Sequence, residues 1–404
     1  MKVLFYLNSF PLPSETFIID QISGLIERGA DVTILSLVKG KIDIDNEKVK
    51  KYKLIERTVF LANSNSHKLL DRSKEIGFSF FSPKVLERFN FFKYGFVSLN
   101  LFLPLAEKKL NNREYDAIVA HFGTAGVAAM KMMEAGVIQG KLFTVFHGAD
   151  ISKKKNLNRY VKEYKELFQF ADRLLPISNK WKEELVKLGA EPTKIYVNRM
   201  GIDTSKFNIS AKVSLDSSTL KIVSVARLVE KKGIDDALKA MSLLKNSGKA
   251  KFSYQIVGTG PLQSELLDLV KSLNLQDCVT FYGARQHSFV SDLLKSADIF
   301  LLPSKTASDG DMEGIPVSLM ESMATGLITL STYHSGIPEL IEHGEDGFLV
   351  PEGSPESIAA QIENIISNKS EINTLQERAI CKVKEKFNQE TLYDDLLNVL
   401  RGGS

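Results

Sequence analysis

The segment Asp309-Gly310-Asp311-Met312-Glu313-Gly314-Ile315-Pro316-Val317-Ser318-Leu319-Met320-Glu321, continued by Ser322-Met323-Ala324-Thr325-Gly326, decides the fold. It follows the apolar run Ile299–Leu302, which reads as a strand, and so it occupies that strand's carboxyl end. Gly314 lets the backbone approach a ligand closely, and Pro316 suits the first position of a helix. The spacing predicts that helix from Pro316 to about Thr325, with Gly326 as its stop. A helix opened in this way leaves unpaired N–H groups near Ile315, Val317 and Ser318, and with the helix dipole they form a site for a diphosphate. Glu313 stands before the helix and Glu321 within it, so the two carboxylates address different parts of one ligand. A carboxylate accepts hydrogen bonds from vicinal hydroxyls, which suits a sugar on one side and a ribose on the other. Either glutamate alone would read as a solvated residue; the Gly-Pro-helix setting favours a site.

Outward from this segment, short apolar runs alternate with helical patterns. Val3–Leu7, Asp31–Leu37, Asp116–Ala120 and Phe143–Phe146 read as strands, and Thr16–Arg28 as a helix stopped at Gly29. A second series begins near Leu220: strands Ile222–Ala226, Phe252–Val257, Val279–Tyr282 and Ile299–Leu302, with helices Asp235–Asn246 and Pro261–Leu273 between them. Asn208–Ser218 is polar, rich in serine and without apolar periodicity, and marks the boundary. The expected architecture is α/β: two doubly wound, Rossmann-like domains facing each other across a cleft, with ligand beyond the carboxyl ends of the strands. Residues 1–207 and 208–385 are the two expected domains, followed by a helical stretch in 386–404.

Length and composition agree with this. A chain of 404 residues suits two domains of ordinary size. Its 52 Lys and Arg nearly balance 49 Asp and Glu, so charge does not indicate nucleic-acid binding. Cys278 and Cys381 lie far apart without CxxC spacing, which excludes a zinc site built on them and suggests no oxidised compartment. Met1–Leu7 reads as a first strand rather than a signal peptide. The longest apolar stretch, Phe96 to Ala106, is broken by Pro104 and falls short of the ~20 residues a spanning helix needs. The expected location is cytoplasmic, with peripheral contact at the inner membrane face as an extension. That extension comes from residues 64–110, where Phe78, Phe80, Phe81, Phe89, Phe91, Phe92, Phe96 and Phe102 are interleaved with Lys74, Lys84, Arg88 and Lys93. A packed insertion and a basic-aromatic surface for a lipid-linked acceptor are the two readings; aromatics at helical spacing favour the first.

The decisive segment resembles the Glu, seven residues, Glu signature of the retaining glycosyltransferases of family 4, which have the GT-B fold. Ser224-Val225-Ala226-Arg227-Leu228 with Lys231-Lys232-Gly233 resembles the family's Arg–Lys pair, and Gly258-Thr259-Gly260-Pro261 its Gly-x-Gly-Pro turn. Ser335–Ile341, Gly347–Val350, His147-Gly148-Ala149-Asp150 and Met200-Gly201-Ile202-Asp203 extend the match over nearly the whole chain. The resemblance implies that Arg227 and Lys232 neutralise the donor diphosphate in place of a metal, Lys232 being chosen over Lys231 on the family pattern alone. It implies that Glu313 contacts the transferred sugar, that Glu321 contacts the ribose, and that His147 faces the sugar across the cleft. It also implies that 1–207 is the acceptor domain and 208–385 the donor domain, and that the stretch in 386–404 crosses back to brace the N-terminal one. Gly258, Gly260, Arg285, Gly314, Ile315, Pro316, Val317, Ser318 and Glu321 form the expected donor side. The acceptor side comprises Ser14, Glu15, His121 and Asp150. His121 stands open between site and core. Asp150 stands open between orienting a substrate and capping a helix, and Glu15 between a dipole partner and an acceptor residue.

No metal or other cofactor is expected, although Asp309-Gly310-Asp311 has the form of a metal motif. By resemblance the reaction is a hexosyl transfer with retention, by front-face attack, from a nucleotide-sugar (UDP preferred, GDP second). The N-terminal loop, Ser9-Phe10-Pro11-Leu12-Pro13-Ser14-Glu15-Thr16-Phe17-Ile18, departs from the family's glycine pair. It resembles a subgroup from bacterial exopolysaccharide and O-antigen clusters, which implies a glycan or lipid-linked acceptor. An NAD-dependent dehydrogenase would need G-x-G-x-x-G after the first strand, and that turn has no glycine. A GT-B epimerase or phosphorylase and a non-catalytic sugar-nucleotide-binding protein are the alternatives.

Overall fold

The first strand shows why the chain builds a buried parallel sheet. Val3 to Leu7 is apolar without alternation and buried on both faces, as a central strand covered by helices requires. In the computed structural model, which describes residues 1–12, 15–40, 46–62, 72–73, 87–207, 215, 219–368 and 372–403, this strand is β1, Lys2–Phe10. It is joined by β2 (Asp31–Lys39), β3 (Thr58–Ala62), β4 (Glu114–His121), β5 (Gln139–Phe146) and β6 (Arg173–Pro176) in the order β3-β2-β1-β4-β5-β6, all parallel. The second sheet contains β7 (Leu220–Val225), β8 (Phe252–Val257), β9 (Val279–Gly283), β10 (Ile299–Leu301), β11 (Ile328–Thr332) and β12 (Phe348–Val350). Its order, β12-β11-β10-β7-β8-β9, is the same doubly wound order read from the other edge. Each sheet therefore has one switch point, between β1 and β4 and between β7 and β10.

The C-terminal sheet separates two cores by the pleat. Ile222, Ile299 and Leu301 face one apolar cluster, while Val223, Phe300 and Leu302 face the other. Ile202 and Phe207, expected in the N-terminal half, pack in that second cluster beside Phe387. The chain thus enters the C-terminal domain before residue 202. It leaves again beside the same point: the Ile202 amide donates to the Phe387 carbonyl at 2.9 Å, and the Gln389 amide to the Ile202 carbonyl at 3.0 Å. The helix Gln389–Leu400 then lies on the helix Thr16–Glu27, and its Leu396, Leu397, Val399 and Leu400 complete the N-terminal core. Gly24 permits the contact, since a Cβ there would meet the Tyr393 ring at 2.1 Å. Arg28 fixes it through Asp394 at 2.6 Å and Glu390 at 3.1 Å.

Among the described residues no helix is long and apolar enough to cross a membrane. Phe78, Phe80, Phe81, Lys74, Lys84 and Ser14 lie outside the described residues, as does the polar boundary apart from Leu215. The rest of the phenylalanine-rich stretch divides. Phe102 is buried, whereas Phe91, Phe92, Phe96 and Leu99 are exposed, Phe92 at 89%.

Candidate active site

The carboxyl ends of both sheets meet. Gly314, after β10, lies so close to the N-terminal domain that a Cβ would touch Ile177 Cδ1 at 2.2 Å and the His147 carbonyl at 3.3 Å. Arg199 Nη2 and Asn179 Nδ2 reach Glu339 Oε2 across the cleft at 2.9 and 3.0 Å. The predicted helix forms as Val317–Ala324, with Gly326 in the left-handed region at φ 77°. Pro316 is not its first residue but its N-cap, with extended backbone at ψ 128°. Proline has no side chain to cap a helix. The amides of Ile315, Val317 and Ser318 consequently have no acceptor among the described residues.

Glu313 and Lys232 form the charged centre. Glu313 is buried and Lys232 nearly so, and Lys232 Nζ lies 3.1 Å from Glu313 Oε2. Glu313 Oε1 is buried without a hydrogen-bond partner, with Lys231 Nζ at 3.7 Å. Burial pushes the Glu313 carboxyl up, but the Lys232 and Lys231 ammonium groups outweigh it and hold it below its ordinary value. Burial lowers the Lys232 ammonium against the opposing pull of Glu313. Arg227 is exposed at the end of β7 and has no ion-pair partner among the described residues.

Glu321 opens on a cavity of about 560 Å³ between the domains, which Phe17, Asp20, Lys206, His287 and Val317 also line. Burial, with the nearby Asp20 carboxylate, raises the Glu321 carboxyl to about 7. His147 follows β5, its ring packed against Phe17 and Phe122 at centroid distances of 4.8 and 4.6 Å. Burial lowers its imidazole to about 3, so it is neutral at physiological pH.

Several expected roles change. Asp150 is not free to orient a substrate: its Oδ2 accepts from the Gly123 amide at 2.8 Å, and its Oδ1 from the Gly148 and His147 amides at 2.9 and 3.1 Å. It ties the turn after β5 to the start of the helix Gly123–Glu134. His121 is fully buried behind His147 rather than on the acceptor surface. Gly258 and Gly260 serve the backbone. A Cβ at either would run into the Ala226 carbonyl at 1.9 Å or the Leu228 carbonyl at 2.3 Å, so both let this turn brace the loop that carries Arg227. Arg285 is exposed and stacks on Phe289 at 5.3 Å, outside the cavity lining. Glu15 is partly buried and its side chain does not cap the helix, while burial raises its carboxyl to about 7. Asp309 and Asp311 face lysines, with Lys153 Nζ at 3.6 and 3.1 Å and Lys231 Nζ at 3.2 Å from Asp311.

Two family models divide the chain: Glycosyltransferase Family 4 matches residues 14–206, and Glycosyl transferases group 1 matches residues 205–382. WcaL of Escherichia coli (strain K12), assigned to colanic acid biosynthesis as a glycosyltransferase, is 41% identical over 406 residues, covering 99% of this chain and 100% of its own. The chain belongs to the family 4, group 1 glycosyltransferases. The amylovoran biosynthesis glycosyltransferase AmsK of Erwinia amylovora is 40% identical, covering 99% of both chains. Among solved structures, Anabaena HepE in complex with UDP-glucose superposes with a TM-score of 0.73 at 19% identity, over 100% of both chains. That likeness establishes the GT-B fold.

This glycosyltransferase has site residues that the motifs did not reveal. His334 Nε2 accepts from the Glu313 amide at 3.0 Å, and its Nδ1 lies 2.7 Å from Glu352 Oε1. The carboxylate fixes the proton on Nδ1 and leaves Nε2 to hold the Glu313 loop. Ser335, in the left-handed region at φ 49°, donates its Oγ–H to the Glu313 carbonyl at 2.7 Å. Lys231 holds the same loop through the Met312 carbonyl at 3.2 Å. The resemblance noted above ran from Ser335 and passed over its neighbour His334.

Proposed function

We propose that this glycosyltransferase binds a nucleotide-sugar, with UDP preferred and GDP second, and transfers its hexose with retention to a glycan acceptor. The observation that carries the reading is the Lys232–Glu313 pair, largely shielded from water, beside the uncapped helix Val317–Ala324, opposite His147. The helix amides receive the donor diphosphate, and Arg227 and Lys232 supply the cations that offset the charge developing on it as the glycosidic bond breaks. No metal is needed in this reading, because Asp309 and Asp311 are already neutralised by lysines. Glu313 Oε1, buried and unpartnered, accepts from a sugar hydroxyl, and Glu321 accepts from the ribose. The acceptor hydroxyl attacks from the face that the diphosphate leaves, and the leaving phosphate oxygen takes its proton. The protein's part is positioning and electrostatic stabilisation. HepE, whose structure holds UDP-glucose, supports the uridine preference.

The acceptor proposed is a lipid-linked glycan of bacterial surface polysaccharide synthesis. The names of WcaL and AmsK, both tied to exopolysaccharides, support it. The exposed Phe91, Phe92, Phe96 and Leu99 beside Lys93 support a face resting against the membrane that carries such an acceptor. The test is transfer from UDP-glucose, UDP-galactose and GDP-mannose to a lipid-linked glycan in the presence of a chelator, with the product's anomeric proton read by NMR. The expected product keeps the donor's anomeric configuration. An inverted product, or free epimerised sugar without transfer, overturns the reading.

A further inference from the structure

Behind His147 lies a chain of buried polar groups for which the transfer chemistry just described has no use. His147 Nε2 is 3.0 Å from His121 Nδ1, and His121 Nε2 is 3.0 Å from Gln21 Oε1. His121 is fully buried and stacked on Phe5, Gln21 is 3% exposed, and the two imidazoles lie nearly parallel at 21°. Both rings are neutral, since burial lowers each below its ordinary value. A neutral imidazole has one N–H and one bare nitrogen. With Gln21 Oε1 turned toward the ring, only one arrangement makes both bonds: His121 donates from Nε2 to Gln21 and accepts at Nδ1, so His147 donates from Nε2. The second nitrogen of His147, Nδ1, makes no hydrogen bond to any described residue.

We propose that Gln21 and His121 are positioning residues that lock His147 in its Nε2–H tautomer, so that His147 offers the cleft a bare Nδ1, able to accept a hydrogen bond from a substrate hydroxyl and unable to donate one. The hydroxyl part of this inference rests on the transfer reading above; the tautomer does not. Three fixed features hold the acceptor in place. The Asp150 carboxylate holds the His147 backbone amide, Phe17 and Phe122 pack against the ring, and the His121–Gln21 chain sets which nitrogen carries the proton. A reversed chain would turn His147 into a donor, suited to a phosphate or carbonyl oxygen rather than a hydroxyl. One buried glutamine thus selects which kind of group the cleft recognises.

The deciding experiment is a long-range ¹⁵N–¹H correlation spectrum of the unliganded protein labelled at its 6 histidines, assigned with His121→Asn and His147→Asn. The expected spectrum shows both His121 and His147 as Nε2–H tautomers, with a pyridine-like Nδ1 on each. An Nδ1–H tautomer or an imidazolium at His147 near neutral pH overturns the proposal, whatever the donor proves to be. In Gln21→Met, which removes the acceptor and keeps the bulk, His147 is expected to become a tautomer mixture. Hydrolysis of UDP-glucose should then fall about tenfold, the effect of losing roughly one ordinary hydrogen bond in the transition state, with the Kd for UDP alone unchanged. A changed tautomer with an unchanged rate overturns the positioning role. Failure of wild type to bind UDP or act on UDP-glucose counts against the transfer reading and leaves the spectrum to decide the tautomer.

Discussion

Glu313 and Lys232 illustrate how costly the centre of this cleft is to build. Each charge is largely removed from water, and each is tolerable because the other is 3.1 Å away. Lys232→Met removes one partner and leaves a carboxylate whose Oε1 already lacks a hydrogen bond. We expect a loss of about 3 kcal/mol in denaturant unfolding, the lower end for a broken buried pair, because Lys231 remains 3.7 Å from Glu313. Lys232→Met with Glu313→Gln should recover much of that stability and none of the activity. Glu321 makes a different prediction. Its carboxyl is raised to about 7, so near pH 6.5 most of it is protonated in the free enzyme. Ribose hydroxyls donate best to the ionised form, and nucleotide binding should therefore release a proton. Calorimetry in buffers of different ionisation enthalpy reads this directly, and Glu321→Gln should abolish the buffer dependence. The sign for stability follows. A raised acid makes the fold most stable below the unfolded value of about 4.3 and less stable as pH rises toward 7, and Glu321→Gln should flatten that fall. At this scale the sequence displayed glutamates and lysines inside motifs. It concealed His334, Glu352 and Gln21, whose roles exist only through partners 21, 18 and 100 residues away.

Elements turn on smaller devices. The loop after β5 holds its shape through Asp150, whose carboxylate takes up three backbone amides. Asp150→Ala should cost about 2–3 kcal/mol, the penalty for stranding buried donors, and displace His147; Asp150→Asn, which keeps an acceptor oxygen, should cost less. Thermal unfolding of both variants tests the order. The same carboxyl explains why its role stayed open in the sequence: an aspartate two positions beyond a glycine looks alike whether it meets a ligand or the backbone. β1, β2, β4, β5 and β7 to β10 were legible because they are apolar runs next to helical patterns. β3, β6, β11 and β12 were not. β6 has four residues and ends in Pro176, and β11 carries Thr329, Ser331 and Thr332, all fully buried. Ser331 Oγ donates to the Leu302 carbonyl at 2.6 Å, and Thr332 Oγ1 to that of Ser304 at 2.5 Å, so neighbouring loops satisfy hydroxyls that hide the strand from a hydropathy reading. Pro316 shows the same limit at a helix end, where first residue and cap differ by one position.

Across the whole molecule, two sheets of identical order are joined at one narrow crossing and held together by the cleft walls. The crossing pairs Ile202 with Asn388, so the two connecting segments turn together. Above it, Lys153 faces Asp309 and Asp311 from the opposite domain, and the Lys154 amide donates to the Asp309 carbonyl at 3.1 Å. Lys153 is 36% and Asp309 57% exposed, so such a bridge is worth less than about 1 kcal/mol and is screened by salt. Lys153→Glu should open the cleft and increase the radius of gyration in solution scattering, and raised salt should move wild type the same way; equal curves would show that this contact does not set closure. The doubled architecture and the decisive segment after β10 were readable from alternation and turns, because each half repeats a local pattern. The crossing near residue 202 was not, because which domain Ile202 and Phe207 pack in depends on Phe387, far along the chain. The proposed function rests on a nucleotide site at the helix Val317–Ala324 that works without metal. Titration calorimetry with UDP and GDP, in chelator and then in magnesium, on wild type and Glu321→Ala, tests it most directly. Binding of UDP in chelator, unchanged by magnesium and weakened by Glu321→Ala, is the expected result. Binding that requires magnesium, or is indifferent to Glu321, would contradict it.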